Sequence, residues 1–163
     1  MNTTQTAEFK RIENPDVEEI VKVIDILLVE DNMGDVRLTI EALKRSKVPH
    51  NLHIVRDGVE AIAFLNRRGE HTYEVRPDLI LLDLNLPKKN GREVLEEIKK
   101  DEFLRQIPVM ILTTSKAESD IANAYDLNAN CYIVKPIGFK QFSEVVKCIA
   151  NFWFTTATLP PKK

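Results

Sequence analysis

Five positions in this 163-residue sequence carry chemistry that their neighbours do not: the acid pair Glu30-Asp31, then Asp83, Thr113 and Lys135. Each closes or directly follows a short run of Ile, Leu and Val. Three carboxylates gathered at one place repel one another, which raises their pKa values and costs stability unless a cation intervenes. A hard-oxygen set of this kind suits Mg2+, which keeps several waters and binds through few carboxylates plus phosphate oxygens. Lys135 is a compact cation able to pair with Asp83 at rest and with a phosphoryl oxygen afterwards. Thr113 offers a hydroxyl that can donate to the same oxygen. A carboxylate is already ionised at neutral pH. An acyl phosphate therefore forms on it if a donor phosphoryl is held in line and its charge is neutralised. Taken singly, each residue has a plainer account as a polar loop, a solvated strand end or a β-favouring threonine. Their joint placement does not.

Such placement needs elements that end together. The apolar runs at 23–29, 51–55, 79–82, 109–112 and 131–134 are mostly continuous rather than alternating, as in strands buried on both faces of a parallel sheet. Between them, 36–45, 58–67, 91–100, 116–127 and 139–154 repeat apolar residues at helical spacing, with Asp57 placed as an N-cap. Strands alternating with helices predict a doubly wound α/β domain, a five-stranded parallel sheet with five flanking helices. In such sheets ligands bind beyond the carboxyl ends of the strands, where the strand order reverses. The five chemical positions all fall at those ends. Pro136 restricts Lys135 to an extended backbone, and the bond between them is a candidate for the cis form.

Composition narrows the function classes. With 44% hydrophobic and 29% charged residues the chain reads as an ordinary soluble globular protein. A net charge of -2, acids and bases interleaved, gives no electrostatic reason for nucleic-acid binding. No apolar run reaches membrane-spanning length and the first fifteen residues lack a signal-peptide core, so the expected location is cytoplasmic, with no membrane partner. Cys131 and Cys148 sit in apolar runs without metal spacing and read as reduced core thiols. His50, His53 and His71 are scattered and read as surface or edge residues. The five glycines make no phosphate-binding loop, which leaves nucleotide hydrolysis without support.

The segments ILLVEDN, PDLILLDLNLPKKNGREVL, IPVMILTTS and CYIVKP closely resemble the receiver domains of two-component response regulators, the CheY-like, flavodoxin-like fold. The resemblance runs from about Ile24 to Phe154. It implies Asp83 as phosphoacceptor, Glu30, Asp31 and the Asn85 backbone carbonyl as Mg2+ ligands with Asp83, and Lys135 as the phosphate-contacting lysine. It also implies Thr113 as the switch hydroxyl and Tyr132 as an aromatic rotamer switch. Its partner would be a histidine kinase. GDVRLTIEALKRS, the polar insert around 67–75, TTSKAESDI and FWFTTATLP are similar to the small response regulators paired with cyanobacterial phytochromes (Rcp type), which implies a light-regulated kinase as phosphodonor.

On this reading the chain divides into an extension at 1–22, a receiver domain at 23–154 and a tail at 155–163. It would be a stand-alone phosphoacceptor rather than an enzyme, assisting its own phosphorylation and dephosphorylation. It would signal through the face of its fourth helix, fifth strand and fifth helix. The extension, acidic at Glu13, Asp16, Glu18 and Glu19, reads as an arm or a short helix. The last helix is more apolar than one packed stripe needs. Its end, Phe152, Trp153 and Phe154, either forms a homodimer or kinase contact or folds back on the same domain. Two other functions compete. A haloacid-dehalogenase type phosphatase would want an acid two positions after Asp83, where Asn85 stands. An adaptor with idle receiver chemistry would dimerise without phosphotransfer.

Overall fold

The computed structural model describes residues 9–11 and 20–162. A two-stranded antiparallel ribbon, β1 (Phe9–Arg11) and β2 (Ile20–Lys22), precedes a parallel sheet. The sheet comprises β3 (Ile24–Val29), β4 (His50–Val55), β5 (Leu79–Leu82), β6 (Val109–Thr113) and β7 (Cys131–Val134), in the spatial order β4-β3-β5-β6-β7. The helices are α1 (Met33–Arg45), α2 (Gly58–Leu65), α3 (Gly91–Lys100), α4 (Glu118–Asp126) and α5 (Phe139–Asn151). The expected doubly wound architecture is present, and the strand order reverses between β3 and β5.

The three inner strands β3, β5 and β6 are buried at every residue, while the edges β4 and β7 are only half-buried. Successive side chains point to opposite faces, so each inner strand feeds two cores. Leu27, Val29, Ile80, Leu82, Val109 and Ile111 pack with residues of α2, α3 and α4. Ile26, Leu28, Leu79, Leu81, Met110 and Leu112 pack with α1 and α5. Both layers are therefore closed by helices, and the carboxyl ends of the strands are left to form a rim.

Several expectations need correction. The extension contributes a two-stranded ribbon, β1 and β2, which was not expected; Glu13, Asp16, Glu18 and Glu19, on which the arm or short helix was expected, lie outside the described residues. No cis peptide bond occurs among the described residues, so Lys135–Pro136 is trans. Extended backbone at the strand end suffices to aim Lys135 at the site. Cys148 is exposed on α5 and is not a core thiol, whereas Cys131, half-buried on edge strand β7, packs against the α1/α5 core. The helix expected over 58–67 stops at Leu65, with Arg67 in the left-handed region at φ 53°. The last α-helix ends at Asn151 and continues as a π-helical turn over Phe152–Thr156. Trp153 and Phe154 pack half-buried against the α1/α5 core, whereas Phe152 is exposed.

The far end of the sheet has its own polar cluster. Asp25 accepts hydrogen bonds from Asn51 at 3.0 Å and Lys162 at 2.6 Å, with His53 Nε2 at 3.2 Å. Lys162 also reaches Asp78 at 3.2 Å, tying the chain end under the sheet. Burial alone would raise the Asp25 pKa, but the bonds from His53, Lys162 and Asn51 outweigh it and hold the carboxyl well below the usual range. A lowered folded pKa contributes stability that is complete above the unfolded carboxyl pKa and is lost as pH falls through the folded value. Asp25→Asn should cost about 1–3 kcal/mol near neutral pH. In urea denaturation the gap from the parent should narrow below pH ~4. A gap that is constant with pH would contradict this account.

Candidate functional site

Ladder hydrogen bonds bring the strand ends level. Glu30 N donates to Val55 O at 3.0 Å, Asp83 N to Val29 O at 3.1 Å, and Lys135 N to Thr113 O at 2.7 Å. The N-termini of α1, α2 and α3 surround the crevice, capped by Asn32, Asp57 and Asn90. Side-chain oxygens there accept the amide hydrogens that the first helical turn cannot satisfy. Asn90 and Glu93 complete a reciprocal capping box on α3. Asp57 also takes a 2.6 Å bond from Lys88 in the loop after β5, joining two loops of the rim.

Gly91 opens α3 against the backbone of the site. A Cβ there would lie 2.1 Å from the Asp83 carbonyl oxygen and 2.6 Å from Leu84 Cα. Backbone atoms cannot swing away as a long side chain can, so Gly91→Ala should cost about 3 kcal/mol, the upper end for overpacking. It should also slow any reaction at Asp83, since the strand end must shift. Urea denaturation together with labelling of Asp83 checks both; unchanged stability would mean the helix slides freely.

The sequence-derived residues meet in this crevice. One carboxylate oxygen each from Glu30, Asp31 and Asp83 lies within 4.8 Å of the others, with Glu30 and Asp83 buried and Asp31 exposed. Lys135, itself buried, donates to Asp83 at 2.7 Å and to Glu30 at 2.5 Å. Thr113, wholly buried, receives Asn85 Nδ2 on its hydroxyl at 3.4 Å. Asn85 N donates to Asp83 Oδ1 at 3.0 Å, closing a tight turn after β5. Tyr132, half-buried on β7, donates its hydroxyl to the Ser115 carbonyl at 3.1 Å, on the loop that follows Thr113. Ser115 in turn donates to Asp120 at 2.5 Å, and Asp120 is paired with Arg92 of α3. Phe152, Trp153 and Phe154 lie at the far end of α5 and take no part.

One contact escaped the sequence reading. Asp35, in the first turn of α1, accepts a third bond from Lys135 at 2.8 Å. The available signal was its position three residues after the N-cap Asn32, which turns it toward the same rim.

Electrostatics explain what the crevice can hold. Burial pushes the Glu30 carboxyl up to about 7, against the opposing pull of Lys135. For Lys135 burial works downward, but its bonds to Asp35, Asp83 and Glu30 outweigh it and hold the ammonium firmly charged. One ammonium thus serves three acids and leaves the buried Glu30 under-compensated. A carboxylate set short of positive charge, with its oxygens converging, fits a divalent cation.

Comparison with known proteins agrees. Residues 26–147 match the family model described as the response regulator receiver domain. Response regulator Rcp1 of Synechocystis sp. is 53% identical over 135 residues, 83% of this chain and 92% of that protein. The phosphorylated cyanobacterial phytochrome response regulator RcpA superposes with a TM-score of 0.83 at 56% identity, over 85% of this chain and 99% of that one. The Mn(2+)-bound form of Rcp1 gives a TM-score of 0.82 at 51% identity, over 85% and 99%. Among the described residues, no helix is long and apolar enough to cross a membrane.

Proposed function

We propose, from the premise that this chain belongs to the response regulator receiver family, that Asp83 accepts a phosphoryl group from a histidine kinase of the phytochrome type. The carrying observation is the convergence of Glu30, Asp31 and Asp83 at the strand-order reversal, with Lys135 bonded into the same crevice. In the transfer, an Asp83 carboxylate oxygen forms a bond to phosphorus. The bond from phosphorus to the kinase histidine nitrogen breaks, and its electron pair stays on the imidazole. The product is an aspartyl phosphate. Lys135 exchanges its Asp83 partner for a phosphoryl oxygen, and the Thr113 hydroxyl donates to another.

Glu30, Asp31, Asp83 and the Asn85 backbone carbonyl would hold Mg2+, whose charge offsets that of the transferring oxygens. The Mn2+ in the Rcp1 structure supports a divalent ion of this class. Asn85, in place of a second acid, removes the general acid that a phosphatase would need, so an acyl phosphate accumulates instead of turning over. The chain assists its own phosphorylation and dephosphorylation without being an enzyme toward other substrates.

Phosphorylation adds charge and acceptor oxygens at one point. Thr113 and Tyr132 carry the change to the face of α4, β7 and α5, through the Ser115 carbonyl that Tyr132 now holds. The division into an extension at 1–22, a receiver at 23–154 and a tail at 155–163 accompanies this reading, as does a cytoplasmic setting. Homodimerisation, with exposed Phe152 at the contact, is part of the same proposal. Sedimentation as a strict monomer at high micromolar concentration, phosphorylated or not, would remove it.

The direct test is phosphotransfer from a panel of autophosphorylated histidine kinases, phytochromes included, in Mg2+. The expected result is a mass increase of one phosphoryl per chain, fastest from a phytochrome kinase. Steady turnover of aryl phosphates would favour the phosphatase, and no label from any kinase or from acetyl phosphate would favour the idle adaptor.

A further inference from the structure

The Lys135 ammonium has three N–H bonds to give, and all are taken: Glu30 at 2.5 Å, Asp83 at 2.7 Å and Asp35 at 2.8 Å. These acceptors are not equivalent. Asp83 is the proposed nucleophile, and its oxygen changes character when phosphorylated. Glu30 is divided, its second oxygen accepting Asn32 N at 2.9 Å, and it belongs to the converging carboxylate set. Asp35 stands outside that set. Its backbone is held independently of the reaction, since Asn32 Oδ1 accepts from both Gly34 N at 2.9 Å and Asp35 N at 3.1 Å.

An acid in the first turn of a helix is ordinarily explained by the helix dipole. That account needs no particular side-chain contact. Here the carboxylate turns inward, half-buried, onto the Lys135 ammonium. We infer that Asp35 is a positioning residue for Lys135, anchoring the ammonium to α1 while its bond passes from Asp83 to the phosphoryl oxygen. This rests on Asp83 being the phosphoacceptor. Without the anchor, Lys135 must be placed afresh in the transition state against its own rotamer freedom. Asp35 therefore acts through Lys135 and neither touches the phosphoryl group nor ligates the metal.

The test is a four-member cycle: the parent, Asp35→Asn, Lys135→Ala and the double variant. Each is labelled with acetyl phosphate at saturating Mg2+ and followed by intact mass over hours. Asp35→Asn should label about fivefold more slowly than the parent, the scale of one charge-assisted contact. In the Lys135→Ala background the same substitution should change the rate by less than about twofold, because the group it positions is gone. Mn2+ affinity, measured separately on Asp35→Asn and on Asp31→Asn, should fall much less in the first, because Asp35 stands outside the converging carboxylate set and Asp31 within it. A rate equal to or faster than the parent's overturns the inference. So does a slowing that persists without Lys135, which would be a field or helix effect, and so does a loss of Mn2+ affinity as large as that of Asp31→Asn, which would make Asp35 a ligand. Failure of the parent itself to label would overturn the phosphoacceptor reading, and is seen before any variant is compared.

Discussion

Asp83→Asn should take up no phosphoryl group from acetyl phosphate or from a kinase. The amide has nearly the shape of the carboxylate, and its oxygen can still accept the Asn85 N–H that Asp83 accepts at 3.0 Å. It lacks the ionised oxygen that attacks phosphorus. The loss should therefore be chemical and not structural, with urea denaturation showing a folded protein. Removing one acid from the crevice should also weaken divalent binding by about tenfold or more, as for loss of a ligand or its close support. Intact mass after prolonged incubation decides the point. A one-phosphoryl adduct on the variant would put the acceptor elsewhere, with exposed Asp31 the first place to look.

Lys135→Ala should destabilise the fold strongly. The ammonium and its two inner partners are almost wholly out of water: the side chains of Lys135, Glu30 and Asp83 are 4%, 3% and 6% exposed. Breaking a buried pair by deleting one member leaves charge without compensation and typically costs about 3–5 kcal/mol. Glu30, already pushed up to about 7, takes up a proton in response and limits the loss to the lower end. A second effect runs the other way. With the competing ammonium gone, the acids have only a divalent cation to neutralise them, so Mg2+ should raise the melting temperature more in Lys135→Ala than in the parent. Ligand linkage ties that increment to tighter binding. An equal or smaller increment would mean that Lys135 does not compete for the carboxylates. Phosphorylation should persist but more slowly, since Lys135 supports the transfer without forming the bond.

How much of this was legible beforehand follows from the range of each interaction. The inner strands announce themselves because a parallel sheet covered on both faces wants unbroken apolar runs, and β5, Leu79–Leu82, is buried at all four positions. Asp57 was legible as an N-cap because the bond that starts α2 is local, its side chain accepting Glu60 N at 2.8 Å three residues on. The crevice was legible because Glu30, Asp31, Asp83 and Lys135 each follow such a run, and the strand-end rule converts sequence position into place. Helix ends were less legible: the helix expected over 58–67 stops at Leu65, and the apolar run past Asn151 continues as a π-helical turn.

What the amino-acid order determined by itself was therefore the α/β alternation, the burial of the central strands and the assembly of Glu30, Asp31, Asp83, Thr113 and Lys135 at one rim. Periodicity and connection length govern these, and both act along the chain. Only the folded molecule decided that Lys135 divides its three bonds among Glu30, Asp83 and Asp35, that Gly91 presses on the Asp83 backbone, that Trp153 and Phe154 turn inward, and that Lys162 reaches Asp25. Those partners are separated by 8 to 137 positions or by a helix turn whose direction is set by packing. Contacts of that kind depend on where whole elements come to rest, and no local rule of residue type or spacing encodes them.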